Sequence, residues 1–344
     1  MKKSLLAAIL AGLVGSAVAQ SNVTIYGTMD HGIQSYKSGS ESMTRSINHA
    51  YNTSFIGFRS REDLGGGLHA GFIVEGQING SDGTLGSATP VAGESFNREA
   101  AVEFGGNFGS IRMGRTDITQ QQNIDLFSGG AARNFASRPV NGTSIELGID
   151  QKNAIRYTSP TWKNVTVMVG HSTGNNGQQT IDQNVKQNGV YVAYDDKKLR
   201  LYAGYQKNDG ATTAAERDFT AVGGNYNLGF ATVGYTWGQG DVSTTGKAVS
   251  TSQMLTVAVP LKQGYTVFTS YGTADDPTQT TANKGKGYVL GGTKSLSKRT
   301  TLFAAYTKVN NEANSRMALG WTNSAPTNRG ESSTGLMAGI SHNF

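Results

Sequence analysis

The 344-residue chain contains no cysteine, which excludes a disulfide scaffold, a Cys-ligated zinc site and an iron–sulfur cluster. It has only 6 prolines, and charged residues make up 16% of the sequence. This composition fits neither a collagen-like chain nor a disordered polyelectrolyte. The basic excess is small and scattered, with 30 Lys and Arg against 24 Asp and Glu, so no nucleic-acid partner is expected. The five histidines are far apart and show no metal-ligand spacing, and no cofactor is implied.

Residues 1–19 have the organisation of a secretory signal peptide. Two lysines at the start precede an apolar run, and Ala17 and Ala19 supply the small residues of a cleavage site before Gln20. The alternative is an uncleaved membrane anchor, but the apolar run is too short to span a bilayer. We therefore expect export and cleavage, which leaves residues 20–344 as the mature chain.

Glycine is abundant, at 46 residues, and it accompanies 14 Tyr and 13 Phe. This mixture favours strands and turns over helices. Alternation with a period of two recurs along the chain; in one example Leu255, Val257 and Val259 alternate with less apolar neighbours. No segment after the first approaches the eighteen apolar residues of a membrane-spanning helix. The run 300–309 is apolar at both parities, so the sequence does not show which of its side chains face outward.

Short and long connections alternate along the mature chain. Seven tight turns are predicted near residues 65, 108, 163, 196, 228, 263 and 298, and eight longer polar segments near residues 40, 86, 130, 180, 212, 245, 279 and 320. Fifteen connections join sixteen strands. Short turns on one side and long loops on the other are typical of an outer-membrane barrel. The predicted fold is therefore all-β, a 16-stranded antiparallel transmembrane β-barrel. The alternative is a soluble solenoid or sandwich, but no fixed repeat is found, and a sandwich of this size leaves many exposed edges.

The longest connection, at about 116–152, is the candidate functional segment. Loops of this length inside a compact fold are usually functional or disordered. It carries aromatic and charged residues as well as linker types. A sixteen-stranded barrel leaves an aqueous lumen, so a loop folded inward would narrow it.

Several stretches of the chain resemble signatures of one family. They are Val23-Thr24-Ile25-Tyr26-Gly27, Arg61-Glu62-Asp63-Leu64-Gly65-Gly66-Gly67-Leu68, Asn107-Phe108-Gly109-Ser110-Ile111-Arg112-Met113-Gly114-Arg115, Ile155-Arg156-Tyr157-Thr158-Ser159-Pro160, Leu296-Ser297-Lys298-Arg299-Thr300 and Gly339-Ile340-Ser341-His342-Asn343-Phe344. The sequence resembles the general diffusion porins of β-proteobacteria. This resemblance implies a homotrimer in the outer membrane of a Gram-negative bacterium, embedded in lipid. Each barrel would pass small hydrophilic solutes and ions by passive diffusion, with its third loop folded inside as the constriction.

The resemblance also gives the candidate pore residues. Arg98 matches a wall arginine of the family, although it shares parity with the apolar residues Val102 and Phe104 and would need a bulge to point inward. Phe55 and Asp150 stand where other pore arginines are common. The basic candidates at the constriction are Arg98, Arg115, Arg133, Arg138 and Lys152, with Arg59 on the wall below, and the acidic candidates are Asp117, Asp125, Glu146 and Asp150. The basic majority predicts weak anion selectivity. The alternative is that Asp150 and Glu146 pair with Arg98 and Lys152 and leave a nearly neutral gate.

Two other function classes remain open at the level of sequence. Ser172 lies in a G-x-S-x-G match, which could indicate an esterase or lipase-like barrel enzyme. That motif requires a strand-to-helix turn, whereas here a polar loop follows, so no enzyme is expected. The second is an adhesin barrel that does not conduct.

The last residues form one further candidate site. Phe344, His342 and Ile340 fall on one parity, and the chain ends in an aromatic residue. This pattern predicts an assembly signal in the last strand, read by the barrel-assembly machinery.

Overall fold

In the computed structural model, the described residues are 23–86, 94–117, 139–140, 151–173, 186–209, 217–241, 249–275, 284–320 and 325–344. The predicted signal peptide, residues 1–19, lies outside them. The described part of the chain contains no helix with the length and apolar character needed to cross a bilayer.

Seventeen strand segments make up almost all of the regular structure. They are β1 (Thr24–Ser38), β2 (Glu41–Asn48), β3 (Phe55–Gly65), β4 (Leu68–Gln77), β5 (Glu99–Gly106), β6 (Gly109–Thr116), β7 (Gln151–Thr158), β8 (Val165–Ser172), β9 (Lys186–Asp195), β10 (Leu199–Asp209), β11 (Arg217–Asn227), β12 (Thr232–Asp241), β13 (Val249–Pro260), β14 (Tyr265–Asp275), β15 (Lys284–Ser295), β16 (Thr300–Asn311) and β17 (Ser333–Asn343). All pairings are antiparallel, and β1 pairs with β17, which closes the sheet into a barrel.

The seventeen segments occupy sixteen positions around the barrel. The start of β1 pairs with β3, and its second half pairs with β2, so β2 and β3 together form one interrupted strand. The fold class predicted from the sequence is therefore confirmed. All seven tight turns lie between strands where they were predicted.

The connection near residue 40 is shorter than the sequence predicted. Only Gly39 and Ser40 separate β1 from β2, because Gly39 adopts a φ of 60° that permits a tight reversal. The irregular segment lies at residues 49–54 instead. The buried carboxylate of Asp30 accepts backbone N–H groups of that segment, from Ala50 at 2.7 Å, Tyr51 at 3.1 Å and Asn52 at 2.9 Å.

Side chains alternate between a lipid-type outer face and the barrel interior. On β13, for example, Leu255 is 46% exposed, whereas the neighbouring Thr256 is 1% exposed and faces inward. In the run 300–309, Leu302 and Tyr306 face outward, and Phe303, Ala305 and Val309 face inward and are buried. The run is apolar at both parities because other parts of the chain cover its inner side.

The inner cover of this wall comes from two segments between strands. Val140 forms an isolated β-bridge with Leu319, and both are buried in one apolar cluster with Phe303 and Val309. Pro139 and Val140 lie directly against inward-facing glycines. A Cβ placed on Gly272 of β14 would be 2.8 Å from Cγ of Pro139, and one on Gly287 of β15 would be 2.9 Å from Cγ2 of Val140.

Candidate functional site on the inner wall

Charged side chains that face the interior are concentrated on strands β3 to β7. One register row crosses these five strands and contains Arg61, Gly71, Glu103, Arg112 and Arg156. Residues in one row share a face of the sheet. We call the inward charged groups of this region the charged wall, which consists of Arg59, Arg61, Glu75, Arg98, Glu99, Glu103, Arg112 and Arg156.

Arg112 is the centre of the charged wall. Its Nη1 donates to Oε1 of Glu99 at 2.7 Å, and its Nη2 donates to Oε2 of Glu103 at 2.6 Å. Thr116 also donates to Glu99 Oε1, at 2.7 Å. Both glutamates are thus paired with one planar guanidinium, a charge-assisted geometry that fixes all three side chains.

Arg156 is buried beside this group. Its Nη1 donates to the backbone oxygen of Asp117 at 2.8 Å. Of the predicted acidic residues, Asp117 is therefore in contact with the charged wall. A buried arginine at the base of the long connection ties the end of β6 to β7.

Arg98 points inward without the bulge that the sequence analysis required. It precedes β5, which begins at Glu99, so the parity of Val102 and Phe104 does not apply to it. Its Nε donates to Oε2 of Glu75 at 3.0 Å, and its guanidinium lies 4.6 Å from the ring centroid of Phe55. Tyr26 donates to the other oxygen of Glu75 at 2.6 Å. Phe55 thus supports the guanidinium of an arginine that precedes β5.

Arg59 and Arg61 are the solvent-exposed arginines of the charged wall. The guanidinium of Arg59 lies 4.7 Å from the ring centroid of Tyr26. Within the described residues, neither arginine has a carboxylate partner within ion-pair distance. Both line a cavity of about 410 Å³ that also contacts His69, Glu103 and Arg112. This cavity lies toward the short-turn end of the barrel.

Arg115 and Lys152 are brought together by Glu94. Arg115 lies at a break in the register of β6 with β7, between Gly114 and Thr116, so strand parity does not assign the face of its side chain. It donates to Glu94 at 3.1 Å and to the backbone oxygen of Asn97 at 2.6 Å, and the ammonium group of Lys152 contacts the same carboxylate. The hydrogen bond from Lys152 and the charge of Arg115 lower the pKa of Glu94. The role of Arg115 in the constriction stays a prediction.

The remaining loop candidates, Asp125, Arg133, Arg138, Glu146 and Asp150, lie outside the described residues.

Ser172 is buried on β8, and its hydroxyl donates to the backbone oxygen of Lys152 at 2.7 Å. The neighbouring His171 has the opposite parity. No group of three or more Asp, Glu or His side chains in the described ranges is arranged to hold a metal ion.

The C-terminal residues close the barrel. Phe344 exchanges two backbone hydrogen bonds with Gly27, at 3.0 and 3.2 Å. Ile340 and Phe344 are exposed on the outer face, and His342 contacts the hydroxyl of Thr300 at 2.9 Å. These three residues share one parity, and this parity faces outward; their role as an assembly signal stays a prediction.

Sequence reasoning missed six members of the charged wall, which are Arg61, Glu75, Glu99, Glu103, Arg112 and Arg156. A signal was present on β6, where Ser110, Arg112 and Thr116 alternate with Ile111 and Met113. In a lipid-facing barrel the polar parity must face the lumen.

Comparison with known proteins gives the family. A family model described as Gram-negative porin matches residues 6–314. The chain belongs to the Gram-negative porins. Outer membrane porin protein 32 of Delftia acidovorans is 31% identical, and the alignment covers all of both chains. An outer membrane porin of Bordetella pertussis is 28% identical and covers 88% of this chain and 93% of that protein. Among solved structures, an anion-selective porin from Comamonas acidovorans superposes with a TM-score of 0.78 at 27% identity, over 94% of this chain and 100% of that one.

This porin is thus an outer-membrane channel through which small hydrophilic solutes and ions diffuse passively. Its relatives are porins and not enzymes, which answers the question raised by Ser172. The charged wall faces the interior of this barrel.

Proposed function

We propose that this porin conducts anions in preference to cations. The observation that carries the proposal is the difference in exposure along the charged wall. Glu75 and Glu99 are 7% and 2% exposed, and each is paired with an arginine, whereas Arg59 and Arg61 are exposed to the lumen. The accessible charge on this wall is therefore positive.

A positive wall in a narrow pore raises the local concentration of anions. Inward charges of both signs occur on other described strands. Arg45 and Glu41 share one parity of β2, and Arg200 pairs with Asp195 at 3.0 Å. The similar porin of Comamonas acidovorans is described as anion-selective. We expect a weak preference that decreases with salt, because the Debye length falls from about 10 Å at 0.1 M to about 3 Å at 1 M.

Replacing Arg98 should reduce the anion preference strongly. Arg98→Ala removes a positive charge and leaves the carboxylate of Glu75 without its guanidinium partner, so a neutral pair becomes an unpaired negative charge. We expect the reversal potential in a tenfold KCl gradient around 0.1 M to move toward the cation side. Single-channel recording in a planar bilayer measures it.

Arg299→Ala is the matched control for this prediction. It removes the same charge from an exposed arginine in the tight turn between β15 and β16, so the reversal potential should stay near the wild-type value. An unmodified channel whose reversal potential is zero or cation-signed at 0.1 M would contradict the proposal and support the neutral gate.

We also propose that the connection at about 116–152 folds into the lumen and forms the constriction. Support comes from Pro139 and Val140. With β2 and β3 counted as one position, the loop leaves β6 at position 5, and Pro139 contacts β14 at position 13. The difference of eight positions is half of sixteen, so the contact lies across the barrel, on inward-facing glycines.

Shortening this loop should therefore enlarge the channel. Deleting residues 120–136 keeps both loop ends, and we expect higher single-channel conductance and faster liposome swelling with large sugars. The comparison is a deletion of residues 175–184 in another long loop, for which conductance should hardly change. Equal conductance of the wild type and the 120–136 deletion would place the loop outside the permeation path.

Assembly forms the last part of the proposed function. We expect a homotrimer, exported with cleavage after Ala19 and inserted by the barrel-assembly machinery. N-terminal sequencing of the mature protein should begin at Gln20. A native-like gel should show a band that dissociates to monomer on boiling, and a monomeric unboiled sample would refute the trimer.

A further inference from the structure

Arg59 and Glu75 are neighbours on the charged wall that do not pair with each other. Arg59 is opposite Ile73 across strands β3 and β4, and Glu75 lies two residues further along β4, so the two side chains are diagonal neighbours on the inner face. Such neighbours are about 7–8 Å apart, a distance that two long side chains can close. Glu75 pairs with Arg98 instead, at 3.0 Å, and Arg59 has no carboxylate partner among the described residues.

The ring of Tyr26 contacts both of these groups. The guanidinium of Arg59 lies over the ring, 4.7 Å from its centroid, and the Tyr26 hydroxyl donates to Oε1 of Glu75 at 2.6 Å. The other oxygen of Glu75, Oε2, accepts from Nε of Arg98 at 3.0 Å. Arg59 thus meets the face of the ring and Glu75 meets its hydroxyl, so Tyr26 separates two opposite charges that would otherwise attract each other.

A glycine and a second ring fix the position of Tyr26. Gly57 is opposite Tyr26 on one side and Glu75 on the other, and a Cβ placed on it would be 2.7 Å from Cζ of Tyr26. Because Gly57 has no side chain, the ring can cross β3 and reach the carboxylate on β4. The ring of Phe55 meets that of Tyr26 edge-on, with centroids 5.8 Å apart and an interplanar angle of 77°. Tyr26 is therefore held where it contacts both charged groups.

Loss of the Tyr26 hydroxyl would change the partner of Glu75. Its Oε1 would lose its donor, and Glu75 is only 7% exposed, so water would replace the lost hydrogen bond poorly. A buried carboxylate oxygen without a donor is costly, and Arg59 is the neighbouring guanidinium that has no carboxylate. The carboxylate of Glu75 would then bridge Arg98 and Arg59 and neutralise the exposed arginine.

We propose that Tyr26 is a positioning residue for the passage of anions. Its hydroxyl holds Glu75 on Arg98 and so keeps the charge of Arg59 available to anions in the lumen. This inference rests on the anion preference proposed above and adds an uncharged residue that controls it.

The test is the reversal potential of Tyr26→Phe, measured on the purified mature porin in a planar bilayer with a KCl gradient around 0.1 M. This variant keeps the ring and the formal charge of the channel and removes only the hydroxyl. We expect the chloride-to-potassium permeability ratio to fall about twofold, because Glu75 then neutralises Arg59 within a Debye length of the passing ions. Tyr202→Phe is the matched control. The hydroxyl of this inward tyrosine shares a hydrogen bond of 2.6 Å with that of Thr236, and its removal should leave the ratio unchanged.

A double-mutant cycle identifies Glu75 as the group that the hydroxyl controls. Glu75→Gln removes the carboxylate, so adding Tyr26→Phe to it should have no further effect on the permeability ratio. An unchanged heat-modifiable band shows that each variant folds, and the comparison of Tyr26→Phe with Tyr202→Phe decides by itself if the Glu75→Gln barrel does not.

A wild-type ratio in Tyr26→Phe, or an equal loss with and without the carboxylate of Glu75, would overturn the inference. The sign of the wild-type reversal potential tests the proposed function separately. In a channel without anion preference, Tyr26→Phe should still shift the ratio toward potassium if Tyr26 positions Glu75.

Discussion

Arg112→Met is expected to destabilise the folded barrel by about 3–5 kcal/mol, the cost of removing one partner from a buried ion pair. Arg112 holds both Glu99 and Glu103, and Glu99 is 2% exposed, so water cannot replace the guanidinium there. The remaining hydrogen bond from Thr116 to Glu99 compensates for only part of the loss. The free energy of unfolding, measured by denaturant titration of protein refolded in micelles, reports the change.

Arg59→Met is the appropriate comparison. It removes an arginine of the same charged wall whose side chain is exposed and has no carboxylate partner among the described residues, so we expect a change within about 0.5 kcal/mol. If the two variants lost the same stability, the ion pairs of Arg112 would be irrelevant to folding. Both variants remove one positive charge from the lumen, which makes their reversal potentials a second, matched measurement.

Deleting Phe344 should sharply reduce the amount of folded, assembled porin. The deletion removes the two backbone hydrogen bonds to Gly27, worth about 2 kcal/mol together, and the aromatic ring that ends the last strand. The yield of heat-modifiable oligomer on an unboiled gel measures the effect, while removal of the signal peptide should be normal.

Phe344→Ala separates the two contributions in this prediction. It keeps the backbone hydrogen bonds and removes only the ring, and Phe344→Tyr restores an aromatic group. If the ring is an assembly signal, the alanine variant should resemble the deletion, and the tyrosine variant should resemble the wild type. Normal oligomer from the truncated chain would refute both contributions.

The number of strands and their turns could be predicted because both depend on local chemistry. Turn residues such as those at 107–109 and 262–264 reverse the chain wherever they occur, and lipid requires an apolar parity on every strand. The long loop predicted near residue 40 was wrong. A polar run can continue a pair of strands when the partner strand supplies its hydrogen bonds. The segment 49–54 interrupts the strand instead, and the carboxylate of Asp30, twenty residues away, stabilises it.

The charged wall was harder to predict because its contacts join residues that are far apart along the chain. Arg98 reaches Glu75 because it precedes the regular part of β5, and parity arguments apply only within a strand. The inward side of 300–309 is apolar because Leu319 and Val140 cover it, and both come from distant segments. Partners that lie far apart along the chain leave no periodic signal in the sequence.

The seam between the first and last strands sets when the barrel can close. The hydrogen bond between the side chains of Thr28 and Asn343 joins residues 315 positions apart, and Phe344 completes the seam. Until the final residue has been synthesised and exported, the first strand has no partner on this side, and the growing sheet exposes an unpaired edge. Such edges recruit other strands, and contacts of very high sequence separation form slowly. Closure is therefore the last pairing event of folding, and until it takes place the unpaired edge of the first strand must be shielded from other chains.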